Sequence, residues 1–321
     1  MSTPNSASLE LRNRFEKQFL DRVLFNAPLA PYVAYQIGGP ADILVFPKTE
    51  SDLQFLLDIS NKDSIPVTTI GTGTNLLVDD GGIRGIVVIL KDTFSDIEKT
   101  FSDGTKVLVR CGGGVEKPAF LNWAIQEGLS GLEFSSGVPG TIGGGIFMNA
   151  GTKYGSYGSI LRELHLFDWK KGFSRLQTQA EDFGYRHQNL VTRDTIVLSC
   201  LFELTKGVSA DIETEVLRII EERKAKQPLD FPSCGSTFKN PEGFSAGRLI
   251  EKAGLKGLQV GNAEVSTKHA NFILNKGNAT SRDIRSLIEI IKKRVWEQFQ
   301  VQLECEVVLL GGPPIETSTQ N

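Results

Sequence analysis

Residues 41–115 alternate short apolar runs with polar stretches, and ADILVF, IPVTTI, GIVVIL and KVLVRC each read as a strand bounded by turn residues. Between them Leu53, Leu56 and Leu57 follow an i, i+3, i+4 spacing that predicts a helix over 50–61. A further helix is expected over 117–127, with Pro118 suited to its first turn. Strands alternating with helices imply an α/β or α+β domain. LRELHLFDW and DTIVLSCLFEL then read as strands of a second lobe. At residue 210 the period lengthens. Ile212, Val216, Ile219 and Ile220 fall on one stripe of a helix over 210–225, which places a domain boundary near residue 208. SRDIRSLIEIIKKRVWEQF predicts a second amphipathic helix, with Ile284, Leu287, Ile288 and Ile291 as its apolar stripe and Thr280 and Asp283 at capping-box spacing. It leads into VQLECEVVLLG, whose period of two puts Val301, Leu303, Cys305 and Val307 on one strand face and Gln302, Glu304 and Glu306 on the other. The expected organisation is a polar tail with one short helix over 1–20, a domain over 21–208 in two lobes (about 21–100 and 101–208), a second domain over 209–311 and a disordered tail over 312–321.

Length agrees with this division, because single cores stop growing near roughly 250–300 residues and the chain has 321. Lys and Arg number 35 against 38 Asp and Glu, a net charge of −3, so no global field recruits nucleic acid or an acidic membrane. A phosphate-bearing ligand must then be held by local groups. Cys111, Cys200, Cys234 and Cys305 form no C-x-x-C pair and read as buried reduced thiols of a reducing compartment. His165, His187 and His269 are scattered and support neither zinc nor a His-centred triad. The first 20 residues lack a signal-peptide core, and no run of about 18 apolar residues follows, so a soluble cytoplasmic protein is expected.

Three glycine clusters stand out: Gly71-Thr-Gly-Thr-Asn75, Gly112-Gly-Gly114 and the run Ser136-Gly-Val-Pro-Gly-Thr-Ile-Gly-Gly-Gly145. Glycine permits positive φ and lets a ligand approach backbone N–H groups, which is how neutral loops hold a pyrophosphate. Tight turns are the alternative, favoured for an isolated pair. Three clusters in one domain shift the balance toward a ligand. A Rossmann fingerprint fails, since GTGTNL carries Leu76 at the third glycine and LLVDDGG follows as a turn. A P-loop fails because no Gly-Lys-Ser/Thr closes a cluster.

The segments YQIGGPAD (35–42), GTGTNLLVDDGGIRGIVV (71–88), SGVPGTIGGGIFMNAG (136–151), GYR (184–186), PSCGSTFKNP (232–241), GRLIEKAGLKG (247–257) and VSTKHANFILN (265–275) occur in an order that resembles the UDP-N-acetylenolpyruvoylglucosamine reductases. The resemblance spans roughly residues 25–311 and matches the shorter subtype. It implies an α+β fold in which a two-lobed FAD-binding domain of the vanillyl-alcohol-oxidase type precedes an α+β substrate domain. Gly71, Thr72, Gly73, Thr74 and Asn75, with Gly137, Gly140, Thr141, Gly143 and Gly144, are then expected to hold the FAD pyrophosphate. Asn149, Ala150 and Gly151 would help line the flavin.

The implied reaction uses NADPH and FAD to reduce an enolpyruvyl ether carried on a UDP-sugar. Hydride reaches the methylene carbon, and the neighbouring carbon, which takes on carbanion character, is protonated. Arg186 is the candidate for stabilising the developing charge, because a guanidinium grips a carboxylate through two hydrogen bonds. Ser236 is the candidate proton donor, with Lys239 supplying positive surroundings. Glu306 fits the family's L-x-x-E-V frame, although pattern alone does not separate it from Glu304. Asn240 and Lys226 are candidates for the UDP pyrophosphate, and Arg248 is a further one beside Lys239. Without the resemblance, each has an ordinary reading: Arg186 as a surface ion pair, Ser236 as a turn serine, Glu304 and Glu306 as a solvated sheet face, and Lys226 and Arg248 as exposed helix residues. Two positions depart from the family, Gln188 where a serine is common and Glu264 where a glutamine is. A flavin oxidase of the same fold and a non-catalytic FAD or UDP-sugar binder are the alternative readings, and a monomer without nucleic-acid or membrane partners is expected.

Overall fold

The computed structural model describes residues 9–313, so the expectations for 1–8 and 314–321, a polar start and a disordered end, lie outside the described residues. In chain order the elements are α1 (Leu9–Phe19), β1 (Val23–Pro28), β2 (Pro40–Val45), α2 (Glu50–Asp63), β3 (Val67–Ile70), β4 (Leu76–Val78), β5 (Ile83–Ile89), β6 (Ile97–Asp103) and β7 (Lys106–Gly112). Then come α3 (Lys117–Gln126), β8 (Leu129–Ser130), α4 (Ile142–Phe147), β9 (Gly151–Thr152), β10 (Gly155–Ser156), α5 (Tyr157–Ile160), β11 (Leu161–Asp168), β12 (Gly172–Gln177), β13 (Phe183–Gly184), β14 (His187–Gln188) and β15 (Thr195–Lys206). The last group is α6 (Ser209–Lys226), α7 (Ala246–Lys252), β16 (Gln259–Val260), β17 (Ala263–Val265), β18 (Ile273–Asn275), α8 (Ser281–Phe299) and β19 (Val308–Leu310).

These elements form two compact units, each assembled from discontinuous segments: Met1–Asn26, Asp42–Thr72 and Gly85–Glu222 in the first, Ala27–Ala41, Gly73–Arg84 and Arg223–Asn321 in the second. The single change of texture near residue 208 is the start of α6, whereas the units divide inside that helix and two early segments group with the C-terminal one.

In the first unit a four-stranded sheet has the order β1-β2-β5-β3, and a six-stranded sheet runs β12-β11-β15-β7-β6 with β8 also paired to β15. From Leu198 to Leu204 the twelve-residue β15 alternates buried and half-exposed positions, as a strand with one covered face should. α2 begins at a capping box in which the Thr49 hydroxyl accepts the Asp52 amide and the Asp52 carboxylate accepts the Thr49 amide. Phe15 and Phe19 of α1 meet Phe55 of α2 edge to face, so the polar N-terminal helix is fastened by an aromatic cluster.

The second unit packs α7 and α8 with the small sheet β16-β17-β18. Ile284, Leu287, Ile288, Ile291 and Val295 of α8 are fully buried, each worth about 1.5–3 kcal/mol of apolar transfer. β19 pairs in parallel with β4, matching Val308 to Leu76, Leu309 to Leu77 and Leu310 to Val78. The expected long strand over 301–311 is only three residues of regular strand. Before it, residues 301–307 carry one isolated bridge, Cys305 to Phe238, and the Lys239 and Glu306 amides donate to the Glu304 and Thr237 carbonyls beside that bridge.

Candidate active site

The first unit brings two of the three glycine clusters together. A Cβ on Gly71 would lie 2.6 Å from Thr141 Oγ1, so this contact requires glycine. Gly137 (φ +67°) and Gly140 (φ +116°) turn the chain through the left-handed region into α4. Thr141 caps α4, its hydroxyl accepting the Gly144 amide, while the amides of Ile142 and Gly143 donate to the carbonyls of Val115 and Gly113. These donors are therefore used inside the protein, and Gly143 and Gly144 can serve a ligand through the side chain they lack rather than through their N–H groups. The third cluster is accounted for by packing. Cβ atoms on Gly112, Gly113 and Gly114 would stand 1.7–1.8 Å from the carbonyls of Phe94, Val197 and Thr93.

Lys117, 5% exposed at the start of α3, clasps the glycine run: its amide donates to the Gly140 carbonyl and its ammonium to the Pro139 carbonyl at 3.0 Å. Nothing in the sequence pattern marked it. Gly151 pairs with Ser156 in the β9–β10 hairpin, where a Cβ would stand 2.4 Å from the Gly155 carbonyl. The Ala150 amide donates to the Gly145 carbonyl, closing the turn after α4.

Arg186 lies in the two-residue loop of the β13–β14 hairpin, with φ at +51°, a left-handed conformation that is unusual for arginine. Its guanidinium carbon is 5.4 Å from the Tyr185 ring centroid. Asn149, expected to line the flavin, uses its side chain to hold this hairpin. Its Nδ2 donates to the Gly184 carbonyl at 2.8 Å, and its Oδ1 accepts the Gly158 amide at 3.1 Å.

In the second unit Ser236 and Glu306 stand on adjoining segments. The amide of Glu306 donates to the Thr237 carbonyl at 2.8 Å, and the Lys239 amide donates to the Glu304 carbonyl at 2.9 Å. Asn75, from the GTGTN turn, donates from Nδ2 to the Glu306 carbonyl at 2.8 Å, so that turn and the Glu306 segment are one piece of structure. Glu304 and Glu306 are now distinguishable. Glu304 has a 73% exposed side chain paired with Lys239 Nζ at 3.2 Å, whereas Glu306 is half-buried beside the serine segment. Asn240 accepts the Ala246 amide on its Oδ1, steadying the start of α7. Lys226 ends α6 and Arg248 lies on α7, both exposed. Gly73 (φ +62°) fits a close backbone approach, since a Cβ there would stand 2.6 Å from the Tyr32 carbonyl. Thr74 next to it is half-buried. The Glu264 carboxylate is engaged by Gln259 at 2.6 Å.

One supporting residue went unassigned from sequence. Asn271, 4% exposed, accepts the Phe238 amide and donates to the Phe238 carbonyl through its side chain, while its own carbonyl accepts the Thr237 amide. Three bonds thus fix the two residues after Ser236. Its signal was a lone amide in the apolar stretch HANFIL. Burial pushes the nearby Cys234 thiol well up, which leaves it neutral.

Two features fit a phosphate-bearing flavin cofactor. Thr72 Oγ1 is shielded from solvent without a hydrogen-bond partner, a state that costs about 1–3 kcal/mol unless a ligand completes it. Gly144 is exposed, and a Cβ there would meet nothing nearer than Thr141 Oγ1 at 3.4 Å, so a flat ring system can reach this backbone.

Comparison with known proteins matches residues 41–172 to an FAD binding domain and residues 227–310 to the family model of the UDP-N-acetylenolpyruvoylglucosamine reductase C-terminal domain. The UDP-N-acetylenolpyruvoylglucosamine reductase of Clostridium novyi is 39% identical over 306 residues, covering 95% of this chain and 97% of that one. The enzyme of the same description from Latilactobacillus sakei is 40% identical, covering 89% and 92%. Among solved structures, the UDP-N-acetylenolpyruvylglucosamine reductase of Thermus caldophilus superposes with a TM-score of 0.73 at 32% identity, covering 90% of this chain and 98% of that one.

Proposed function

The chain belongs to the UDP-N-acetylenolpyruvoylglucosamine reductase family, and from that premise we propose which of its residues carry the reaction. The protein is an FAD-containing oxidoreductase that reduces the enolpyruvyl group of UDP-N-acetylglucosamine enolpyruvate to give UDP-N-acetylmuramate for peptidoglycan precursors, with NADPH as reductant. When bound, FAD would supply the hydride relay from NADPH to the substrate. The Thr72 hydroxyl and the open backbone at Gly144, beside the Gly71–Thr141 contact, would hold it.

Arg186 grips the substrate carboxylate and stabilises the negative charge that develops on its enolate. Ser236 hands its proton to the carbanionic carbon, and Glu306 passes a proton toward Ser236. Lys226, Lys239, Asn240 and Arg248 hold the UDP portion, so residues 209–311 take most of the substrate, while 21–208 take the flavin and contribute Arg186. The observation that supports this assignment most is the Asn75–Glu306–Thr237 set of bonds, which fixes the Glu306 segment against the residue following Ser236. The protein works as a cytoplasmic monomer without nucleic-acid or membrane partners, a reading supported by four free cysteines and near-balanced charge.

The test is direct. Purified protein is expected to show flavin absorbance and to oxidise NADPH rapidly only when the enolpyruvyl UDP-sugar is added. Equal NADPH oxidation with and without that substrate would refute the reading.

A further inference from the structure

The Arg186 turn is not self-supporting. Its two strands are two residues each, with Phe183 opposite Gln188 and Gly184 opposite His187, and a ladder that short does not hold a loop in one conformation. The arginine also occupies a left-handed backbone state, which persists only where the surroundings over-determine it.

Gln188 supplies four hydrogen bonds to those surroundings. Its Nε2 donates to the Phe147 carbonyl at the end of α4 (3.2 Å) and to the Val191 carbonyl (2.6 Å). Its Oε1 accepts the amides of Leu190 (2.8 Å) and Val191 (2.7 Å). Both donors and both acceptor positions of the amide are thereby filled. On the opposite strand Asn149 holds the Gly184 carbonyl, so both edges of the hairpin are tied to the end of α4 and the turn that follows it. A hydroxyl at position 188 has one donor and a shorter reach, and it does not replace this bracket.

We propose that Gln188 is a positioning residue for the reaction, bracing the Arg186 loop against the end of α4 so that the guanidinium is presented in one place to the substrate carboxylate. This rests on the reading of Arg186 given above. Gln188 touches neither substrate nor flavin; it acts through the arginine. Misplacing a charged group by about 1 Å costs a reaction roughly a hundredfold.

Gln188→Glu is the sharpest probe. It keeps the shape and the acceptor for the Leu190 and Val191 amides but sets an anionic oxygen against the Phe147 and Val191 carbonyls. With Gln188→Ala and Arg186→Ala, it is examined as holoenzyme by stopped flow, reading flavin reduction by NADPH and flavin reoxidation by the enolpyruvyl substrate separately. Hydrogen exchange at Leu190 and Val191 is measured in parallel. The expected result is flavin reduction within about twofold of wild type, with reoxidation slowed roughly tenfold to a hundredfold in both Gln188 variants. Amide exchange at 190 and 191 is expected to rise in Gln188→Ala. Wild-type reoxidation in the Gln188 variants, with slow reoxidation in Arg186→Ala, overturns the proposal and leaves the role of Arg186 standing. Wild-type reoxidation in Arg186→Ala removes both. Loss of flavin, or equal slowing of the two half-reactions, makes Gln188 a purely structural residue and also overturns it.

Discussion

Replacing Arg186 by glycine separates folding from chemistry at one position. The residue sits at φ +51°, where an L side chain is strained by about 1–2 kcal/mol and glycine is not. Against that relief, glycine widens the unfolded ensemble by about 0.4–1 kcal/mol, and the exposed contact with the Tyr185 ring, worth about 0.5–1 kcal/mol, is lost. These backbone and ring contributions nearly cancel, so on them alone thermal unfolding of Arg186→Gly is expected within about 4 °C of wild type for a chain of this size. Activity follows a different scale. Removing a preorganised group that meets developing charge raises the barrier by about 2.7–4 kcal/mol, a loss of roughly 10²–10³ in kcat/KM. Differential scanning calorimetry on the flavin-loaded protein and steady-state NADPH oxidation give the two readings. A variant that keeps more than about a tenth of wild-type kcat/KM would refute the role of Arg186. A fall in melting temperature well beyond 4 °C would show instead that the arginine is structural.

Ser236→Ala is expected to retain flavin and its reduction by NADPH while turnover falls roughly 10²–10⁴-fold; full turnover would remove the serine as proton donor. Glu306→Gln should lower kcat about tenfold or more, whereas Glu304→Gln, which loses only an exposed pair with Lys239, should stay within about twofold of wild type, and the reverse order would exchange the two assignments. Asp52→Asn concerns acid stability. Burial pushes the Asp52 carboxyl up, but hydrogen bonds from Arg22, the Lys48 amide and Gln18 outweigh it and hold it below the usual carboxylate range. Its stabilisation is complete above the unfolded carboxylate value of about 3.9 and disappears as pH falls through the lower folded value. The gap in melting temperature between wild type and variant should therefore narrow between pH 7 and pH 3, and a constant gap would contradict this.

Much of this structure was legible from period and punctuation. The stripe of α8 and its Thr280–Asp283 capping box are both present, and each of the apolar runs from ADILVF to DTIVLSCLFEL contributes a strand. What escaped the sequence are relations between distant segments. Glycine counting treats Gly112–Gly114 like the other two clusters, because pattern does not reveal that a neighbouring carbonyl occupies the space a Cβ would need. Period two over 301–307 predicts a regular strand, yet that segment forms an isolated bridge to Phe238 with separate backbone hydrogen bonds around it rather than a continuous ladder. The supporting side chains belong to the same class: Asn271, Gln188 and Lys117 reach Phe238, Phe147 and Pro139, which lie 33, 41 and 22 residues away.

The pairing of β4 with β19 bears on how the protein is made. Leu76 and Val308 are opposite each other, and Asn75 holds the Glu306 carbonyl across 231 positions of chain. A ribosome adding about 5–20 residues per second reaches β19 at least ten seconds or so after β4 has emerged. Until then the GTGTN turn lacks the strand that steadies it, and Leu77, fully buried in the finished protein, has no core to enter. Completion of the second unit is consequently a late event of synthesis, and a polypeptide truncated before residue 308 leaves an early segment without its partner.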